Sequence, residues 1–329
     1  MEKWRIKKLK SYYRPPKKKI WQGRKTRLDN QYWHQIVEFI DLTKHSIQSG
    51  IEENAYGLLG YACDEGVRRN LGRPGAEKGP NAIRRSLAKI AWHRNTNSII
   101  DFGNVICTKG RMEKSQEIIG TVVAEMLSKN ITPILLGGGH DIAFGHFLGI
   151  YEHSIRTNQS IGIINFDAHF DLRPLISKPN SGTPFYQISK ILQENGKEFH
   201  YLVAGIQKQS NPSELFEIAH ELGVKMIHHD EMEMENLQNL EITFLDFISD
   251  CDIIYLTVDL DGFSSAFAPG VSAPNPLGFS PNLVFKLLES ILKSNKVIAV
   301  DVAELNPQFD VDGRTSVLAA RLIDLIVDR

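Results

Sequence analysis

Eight short apolar runs recur along the 329 residues and restrict the fold more than any other feature: AYGLLGYA (55–62), SIIDF (98–102), ITPILL (131–136), IGIINF (161–166), YLVAG (201–205), VKMIH (224–228), IIYLTV (253–258) and KVIAV (296–300). Each has strand length and strand composition, and helix-like stretches separate them. This alternation predicts an α/β fold, three α/β/α layers around a mostly parallel central sheet. No Pro/Gly/Ser-rich linker breaks the rhythm. Residues 51–329 are therefore expected to form a single α/β domain behind an N-terminal basic arm and helical lead-in over 1–50.

Three of the runs end in bursts of aspartate and histidine. Gly137-Gly138-Gly139-His140-Asp141 follows ITPILL, Asp167-Ala168-His169-Phe170-Asp171 follows IGIINF, and Asp259-Leu260-Asp261 follows IIYLTV. An open parallel sheet binds its ligands outside the carboxyl ends of its strands, which is where these bursts fall. In an extended chain, residues two apart project to one side, so Asp167/His169/Asp171 and Asp259/Asp261 are each expected to present ligands to one point. A single aspartate after a strand is more often a turn or cap residue. Three such bursts point to a two-metal site. No cysteine lies near them, and a mixture of carboxylate and imidazole suits Mn²⁺ better than the all-oxygen shells of Mg²⁺ or Ca²⁺. Four carboxylates would balance two divalent ions, and water held between the ions would be a nucleophile at neutral pH.

These bursts resemble those of the manganese ureohydrolases, the family of arginase, agmatinase and formimidoylglutamase, and the resemblance runs from about Tyr56 to the C-terminus. It implies the arginase fold, two Mn²⁺ per subunit, and His140, Asp167, His169, Asp171, Asp259 and Asp261 as metal ligands, with Asp259 bridging the ions. VIAVDVAELNP (297–307) looks like the family's final strand, and it sets Glu304 where relatives hold the cationic group of their substrate. GGGH lacks the trailing Gly-Lys-Ser/Thr of a phosphate loop.

WQGR (21–24), GYACDEGVRRNLGRPGAEKGP (60–80), SGTPFYQI (181–188) and APGVSAPNPLG (268–278) resemble the formimidoylglutamase branch. That resemblance implies conversion of N-formimidoyl-L-glutamate and water to L-glutamate and formamide, a step of histidine degradation, by attack of a metal-bridging hydroxide on the formimidoyl carbon. Asp261 is then the expected proton relay, and Glu304 the partner of the formimidoyl cation. Arginase-like enzymes carry His-Thr-Asp-hydrophobic-Asn where this chain has His169-Phe170-Asp171-Leu172-Arg173. A guanidinium fork suits a carboxylate, so Arg173, with Ser181, is the expected substrate-binding residue, a surface ion pair being the alternative. The shuttle histidine of arginase, four residues beyond its serine, is replaced by Phe185. Two other readings stay open: a guanidino acid hydrolase or agmatinase releasing urea, and a non-catalytic metal-binding relative. The intact ligand set and Glu304 oppose the second.

Several basic residues and histidines are ambiguous. Arg24 of WQGR could reach the substrate entrance or form a structural salt bridge, and Arg68, Arg69 and Arg73 could hold a substrate carboxylate or brace a loop. His146 and His153 read as packing or surface histidines. The first 19 residues are rich in Lys and Arg, with Trp4, Tyr12 and Tyr13 among them. They read as a solvated or packing arm, since the formal net charge of the whole chain is only −1 and no nucleic-acid module follows. Cys63, Cys107 and Cys251 lack paired spacing, which argues for a reducing compartment. No apolar run reaches the length of a membrane span. The expectation is a cytoplasmic enzyme acting on a small molecule, with no nucleic-acid or membrane partner; a homo-oligomer is compatible with it.

Overall fold

Every one of the eight apolar runs forms a strand of one sheet in the computed structural model, which describes residues 11–47, 55–94 and 98–328. In chain order the strands are β1 (Tyr13–Arg14), β2 (Glu38–Phe39), β3 (Ala55–Ala62), β4 (Ser98–Ile106), β5 (Ile131–Leu136), β6 (Ile161–Phe166), β7 (His200–Ile206), β8 (Lys225–His228), β9 (Ile253–Asp259) and β10 (Val297–Ala303). Their spatial order is β1-β4-β3-β5-β10-β9-β6-β7-β8, with β2 also pairing β4. All pairings are parallel except β1 with β4.

Helices cover both faces, and alternate strand residues feed two cores. Leu58, Ile134, Leu136, Ile164, Leu256 and Val300 face one core, which contains residues of the helices Gly79–Leu87, Leu237–Ser249, Pro281–Leu292 and Arg314–Val327. Leu59, Leu135, Ile163, Tyr255 and Ala299 face the other, with Met112–Leu127, Ile142–Thr157, Pro184–Glu194 and Ser213–Glu221. Burial on both faces is why these strands read as unbroken apolar runs.

The sheet order fixes where chemistry can occur. β5, β10, β9 and β6 are consecutive neighbours at its middle, and the three metal-type bursts and Glu304 all lie at or just past their carboxyl ends. Residues distant in sequence are thereby brought to one place.

The N-terminal segment is built into the sheet over its described part. Tyr13–Arg14 pairs antiparallel with β4. Trp21 is buried and donates from Nε1 to Oδ2 of Asp101 at 2.8 Å. Arg84 donates to both oxygens of the same carboxylate, at 2.7 and 2.9 Å, within a pair whose side chains are 1% exposed. Trp4 lies outside the described residues. No helix among the described residues is long and apolar enough to cross a membrane.

Candidate metal centre and substrate pocket

The glycines after β5 let the chain turn sharply under the sheet edge. Gly138 has φ of 100°, and a Cβ there would sit 2.4 Å from the Tyr61 carbonyl oxygen, so no side chain fits. The turn delivers the His140 ring inward. Asp141, next in sequence, turns away and accepts a hydrogen bond from the Tyr61 hydroxyl at 2.5 Å.

The other two bursts reach the centre by a route different from the expected strand alternation. β6 ends at Phe166, and the chain beyond it turns, with Asp171 at φ 50°. β9 ends at Asp259, and Leu260–Gly262 is a 3₁₀ turn. One oxygen of each leading aspartate holds its own turn: Oδ1 of Asp167 accepts from the His169 N–H, and Oδ1 of Asp259 from the Asp261 N–H, both at 2.8 Å. The second oxygen faces the centre. In Asp259 turn and candidate ligand are thus two oxygens of one carboxylate, while Oδ1 of Asp167 both holds its turn and faces His169.

Six residues converge in two groups. His140, Asp167, Asp171 and Asp259 form one, and Asp167, His169 and Asp261 the other, with donor atoms in each group within 4.8 Å of one another. Asp167 is common to both, whereas bridging was expected of Asp259. Nδ1 of His140 stands 3.1, 2.9 and 3.0 Å from oxygens of Asp167, Asp171 and Asp259. Nδ1 of His169 stands 3.4 Å from both Asp167 and Asp261.

The chemistry of these atoms fits a cation. Nε2 of His140 lies 3.0 Å from the Thr257 hydroxyl, whose own proton goes to Oδ1 of Asp301 at 2.5 Å. Thr257 can therefore only accept from His140, which places the ring proton on Nε2 and turns the Nδ1 lone pair toward three carboxylate oxygens. That nitrogen is stable among anionic oxygens only when it holds positive charge, as a bound proton or a metal ion. The electrostatics agree. Burial, which disfavours charge, and the neighbouring Asp259 together push Asp261 and Glu304 well above the ordinary carboxylate range. Asp171 is pushed up to about 6 by burial and by Asp167. Burial opposes ionisation of His140 and His169, yet the surrounding carboxylates raise both well above the usual imidazole value. Oδ1 of Asp261, Oε2 of Glu304 and Nδ1 of His140 are buried without a hydrogen-bond partner in the protein. This is the signature of a site shaped for divalent ions.

A cavity of about 330 Å³ opens over the cluster. Glu304 is on its lining, with backbone φ of 66°, a left-handed conformation uncommon for a residue with a side chain. Its Oε1 accepts from the His140 N–H at 2.9 Å. Arg173 and Ser181 also line the cavity. The Arg173 guanidinium is exposed and has no ion-pair partner among the described residues, so it is free of the surface pair considered as its alternative. Ser181 accepts from Asn70 at 3.1 Å. Phe185, fully buried, packs edge-on to the His140 ring and stacks on Tyr201.

The ambiguous arginines resolve differently. Arg69 donates to Glu65, Glu113 and the carbonyls of Gly110 and Pro179, and Arg68 to Glu65 and Asp64. Arg73 donates to the carbonyls of Val271 and Ser272 and stacks over Phe309. All three brace loops around the cavity. Arg24 lines a separate cavity and not this one. His146 is buried and bonds Asp301 at 2.7 Å, while the partly exposed His153 has burial as the cause of its lowered pKa.

Comparison with known proteins agrees with this geometry. The sequence profile of the arginase family matches residues 54–327, well over half of the chain. The chain belongs to the arginase family. A formimidoylglutamase of Clostridium tetani is 40% identical over 323 residues, covering 96% of each chain. One of Vibrio vulnificus is 44% identical over 318 residues, covering 92% of each. The solved structure of formimidoylglutamase from Bacillus subtilis superposes with a TM-score of 0.79 at 22% identity, covering 93% of this chain and 94% of that one, a likeness of fold. Formiminoglutamase from Trypanosoma cruzi, solved with Mn²⁺, gives 0.73 at 25% identity over 87% of this chain and 96% of its own.

Within this arginase-family site, sequence reasoning missed residues of two kinds. Asn70, Asn211 and Ser272 line the cavity from loops far apart in sequence; Asn70 and Ser272 lie in the segments 60–80 and 268–278 but were not singled out there, and nothing in the local sequence marks Asn211. Thr257 and Asp301 did carry a signal. A charged residue inside VIAVDVA must be paired when buried, and Asp301 accepts from Thr257, from Tyr255 at 2.5 Å and from His146.

Proposed function

We propose that the protein hydrolyses N-formimidoyl-L-glutamate to L-glutamate and formamide, with two Mn²⁺ per subunit held by His140, Asp167, Asp171 and Asp259 on one side and Asp167, His169 and Asp261 on the other. The observation that carries the proposal is the polarity of the cavity. A buried carboxylate, Glu304, lies on one part of its lining and an unpaired guanidinium, Arg173, on another, and the substrate brings a cationic formimidoyl group at one end and carboxylates at the other. Near-full-length similarity to formimidoylglutamases supports the same substrate.

When bound, the ions would polarise the substrate and supply hydroxide at neutral pH. The chain's own residues do the rest. Glu304, fixed by the His140 N–H, receives the formimidoyl cation with its unpartnered Oε2. Arg173 forks onto a substrate carboxylate, assisted by the Ser181 hydroxyl, and the two contacts align the formimidoyl carbon over the acidic cluster. Asp261, whose Oδ1 faces the His169 ring at 3.4 Å, carries a proton to the departing glutamate nitrogen as the carbon–nitrogen bond breaks. Phe185 and the enclosing loops limit access of bulk water beside His140.

The deciding experiment is a Mn²⁺-supplemented product assay with formimidoylglutamate, arginine, agmatine and guanidinobutyrate. Formamide and glutamate from the first substrate are expected. Urea from any of the other three, with no formamide, would overturn the assignment.

A further inference from the structure

The WQGR segment takes no part in the metal site, yet it is held as firmly as a functional element. Trp21 is anchored to Asp101, and a Cβ on Gly23 would meet His34 Nδ1 at 2.3 Å, a ring that itself bonds the Ala88 carbonyl at 2.9 Å. These contacts press the segment against the end of the helix Gly79–Leu87. Between them lies a cavity of about 800 Å³, and none of its lining residues is shared with the metal pocket.

The lining is strongly cationic. Lys19 and Arg24 come from the N-terminal segment, and Arg85 and Lys89 from the helix and the residues just past it, with Tyr32 and Gln22 beside them. No carboxylate lines the cavity, and among the described residues none of the four cations has an ion-pair partner. The contrast with Arg84 is informative, because that neighbour is buried on Asp101 while Arg85 is left facing the open space. Two positive side chains near a helix C-terminus are favourable on their own. Four converging from two separate chain segments repel one another, and the chain keeps them on a backbone locked by Trp21 and Gly23. Such an arrangement lowers the free energy of a multiply charged anion that bridges both segments.

We propose that this cavity binds the polyphosphate chain of a small molecule, with phosphate oxygens on Lys19, Arg24, Arg85 and Lys89. Its volume is in the range of small-ligand pockets. A nucleoside triphosphate and inorganic tripolyphosphate share this chemistry, and the half-buried Tyr32 is the one aromatic residue among the described residues lining the cavity, a surface on which a base could stack.

The test is equilibrium dialysis of the full-length, Mn²⁺-loaded protein against ATP and against tripolyphosphate, with sulfate at matched ionic strength as the competitor. Saturable binding of one equivalent is expected, weakened about tenfold or more by Arg24→Ala and by Arg85→Glu. Both variants are expected to keep the wild-type Tm, metal content and hydrolytic activity. ATP preferred over tripolyphosphate, with the preference lost in Tyr32→Leu, assigns the ligand as a nucleotide; equal affinity with no Tyr32 effect assigns an inorganic polyphosphate. The proposal is overturned if neither compound saturates, if sulfate displaces both at equal ionic strength, or if Arg24→Ala and Arg85→Glu bind as wild type does.

Discussion

Thr257 gives its hydroxyl proton to Asp301 across 2.5 Å, and through that one bond Asp301 dictates which nitrogen of His140 carries hydrogen. Neither residue touches the candidate metal positions. Thr257→Val keeps the shape but removes the acceptor for the His140 Nε2–H, freeing the ring to change tautomer. Affinity for Mn²⁺ should fall roughly 10–100-fold, the usual cost of losing a partner behind a ligand histidine. Titration of the apo protein with Mn²⁺ measures it, and an unchanged midpoint would remove Asp301 from this role.

Replacing Arg173 with alanine should raise KM for formimidoylglutamate and leave metal content intact. A charge-assisted hydrogen bond is worth about 1.5–3 kcal/mol, so kcat/KM should drop by roughly 10–150-fold. A substrate analogue without the contacted carboxylate should be poor with the wild type and little worse with the variant. Equal losses on both substrates would make Arg173 a structural residue.

Glu304→Gln retains size and the bond from the His140 N–H while removing charge. Metal stoichiometry and Tm should stay near wild type, and kcat/KM should fall by at least about tenfold. A fully active, metal-replete variant would exclude contact between Glu304 and the substrate cation.

Chelation should destabilise the fold. Without cations, the carboxylates of Asp167, Asp171, Asp259 and Asp261 stand around two imidazoles in a buried space, and any ion bound by the native state alone adds stability by mass action. At free Mn²⁺ about 100 times its dissociation constant the difference is about 2.7 kcal/mol. Calorimetry before and after confirmed metal removal reads it, and coincident Tm values would contradict the assignment.

The Asp101 carboxylate is the stability hub of the N-terminal half. Asp101→Asn leaves the Arg84 guanidinium buried beside a neutral amide, which should cost about 3–5 kcal/mol. Denaturant unfolding followed by tryptophan emission should show it. A loss below about 1 kcal/mol would mean that Asn104 and the Gly103 carbonyl, which also accept from Arg84, suffice.

The sheet was legible because its central strands are buried on both faces and so appear as unbroken apolar runs, and the metal-type bursts were legible because they follow those runs. The local geometry was not. Asp167 and Asp259 present ligand oxygens from turns that they hold themselves, and strand alternation would have given the same residues for a different reason. The work of Arg69 and Arg73 was hidden for another reason: Pro179 and Ser272, which accept from them, are 110 and 199 positions away along the chain. β1 and β2, two residues each, carry too little pattern to be seen.

The strand order also bears on biosynthesis. Glu304 meets the His140 N–H across 164 positions, and β10, which Glu304 directly follows, inserts between β5 and β9. A nascent chain that has released β5, β6 and β9 from the ribosome still has a gap where the middle of its sheet will be. Contacts of such sequence separation form late. Until β10 has filled the gap, Asp301 is missing behind Thr257 and the imidazole of His140 has nothing to fix its proton. Tight ion capture would then mark chains synthesised through β10, and products truncated before it would be left metal-poor and open to proteolysis.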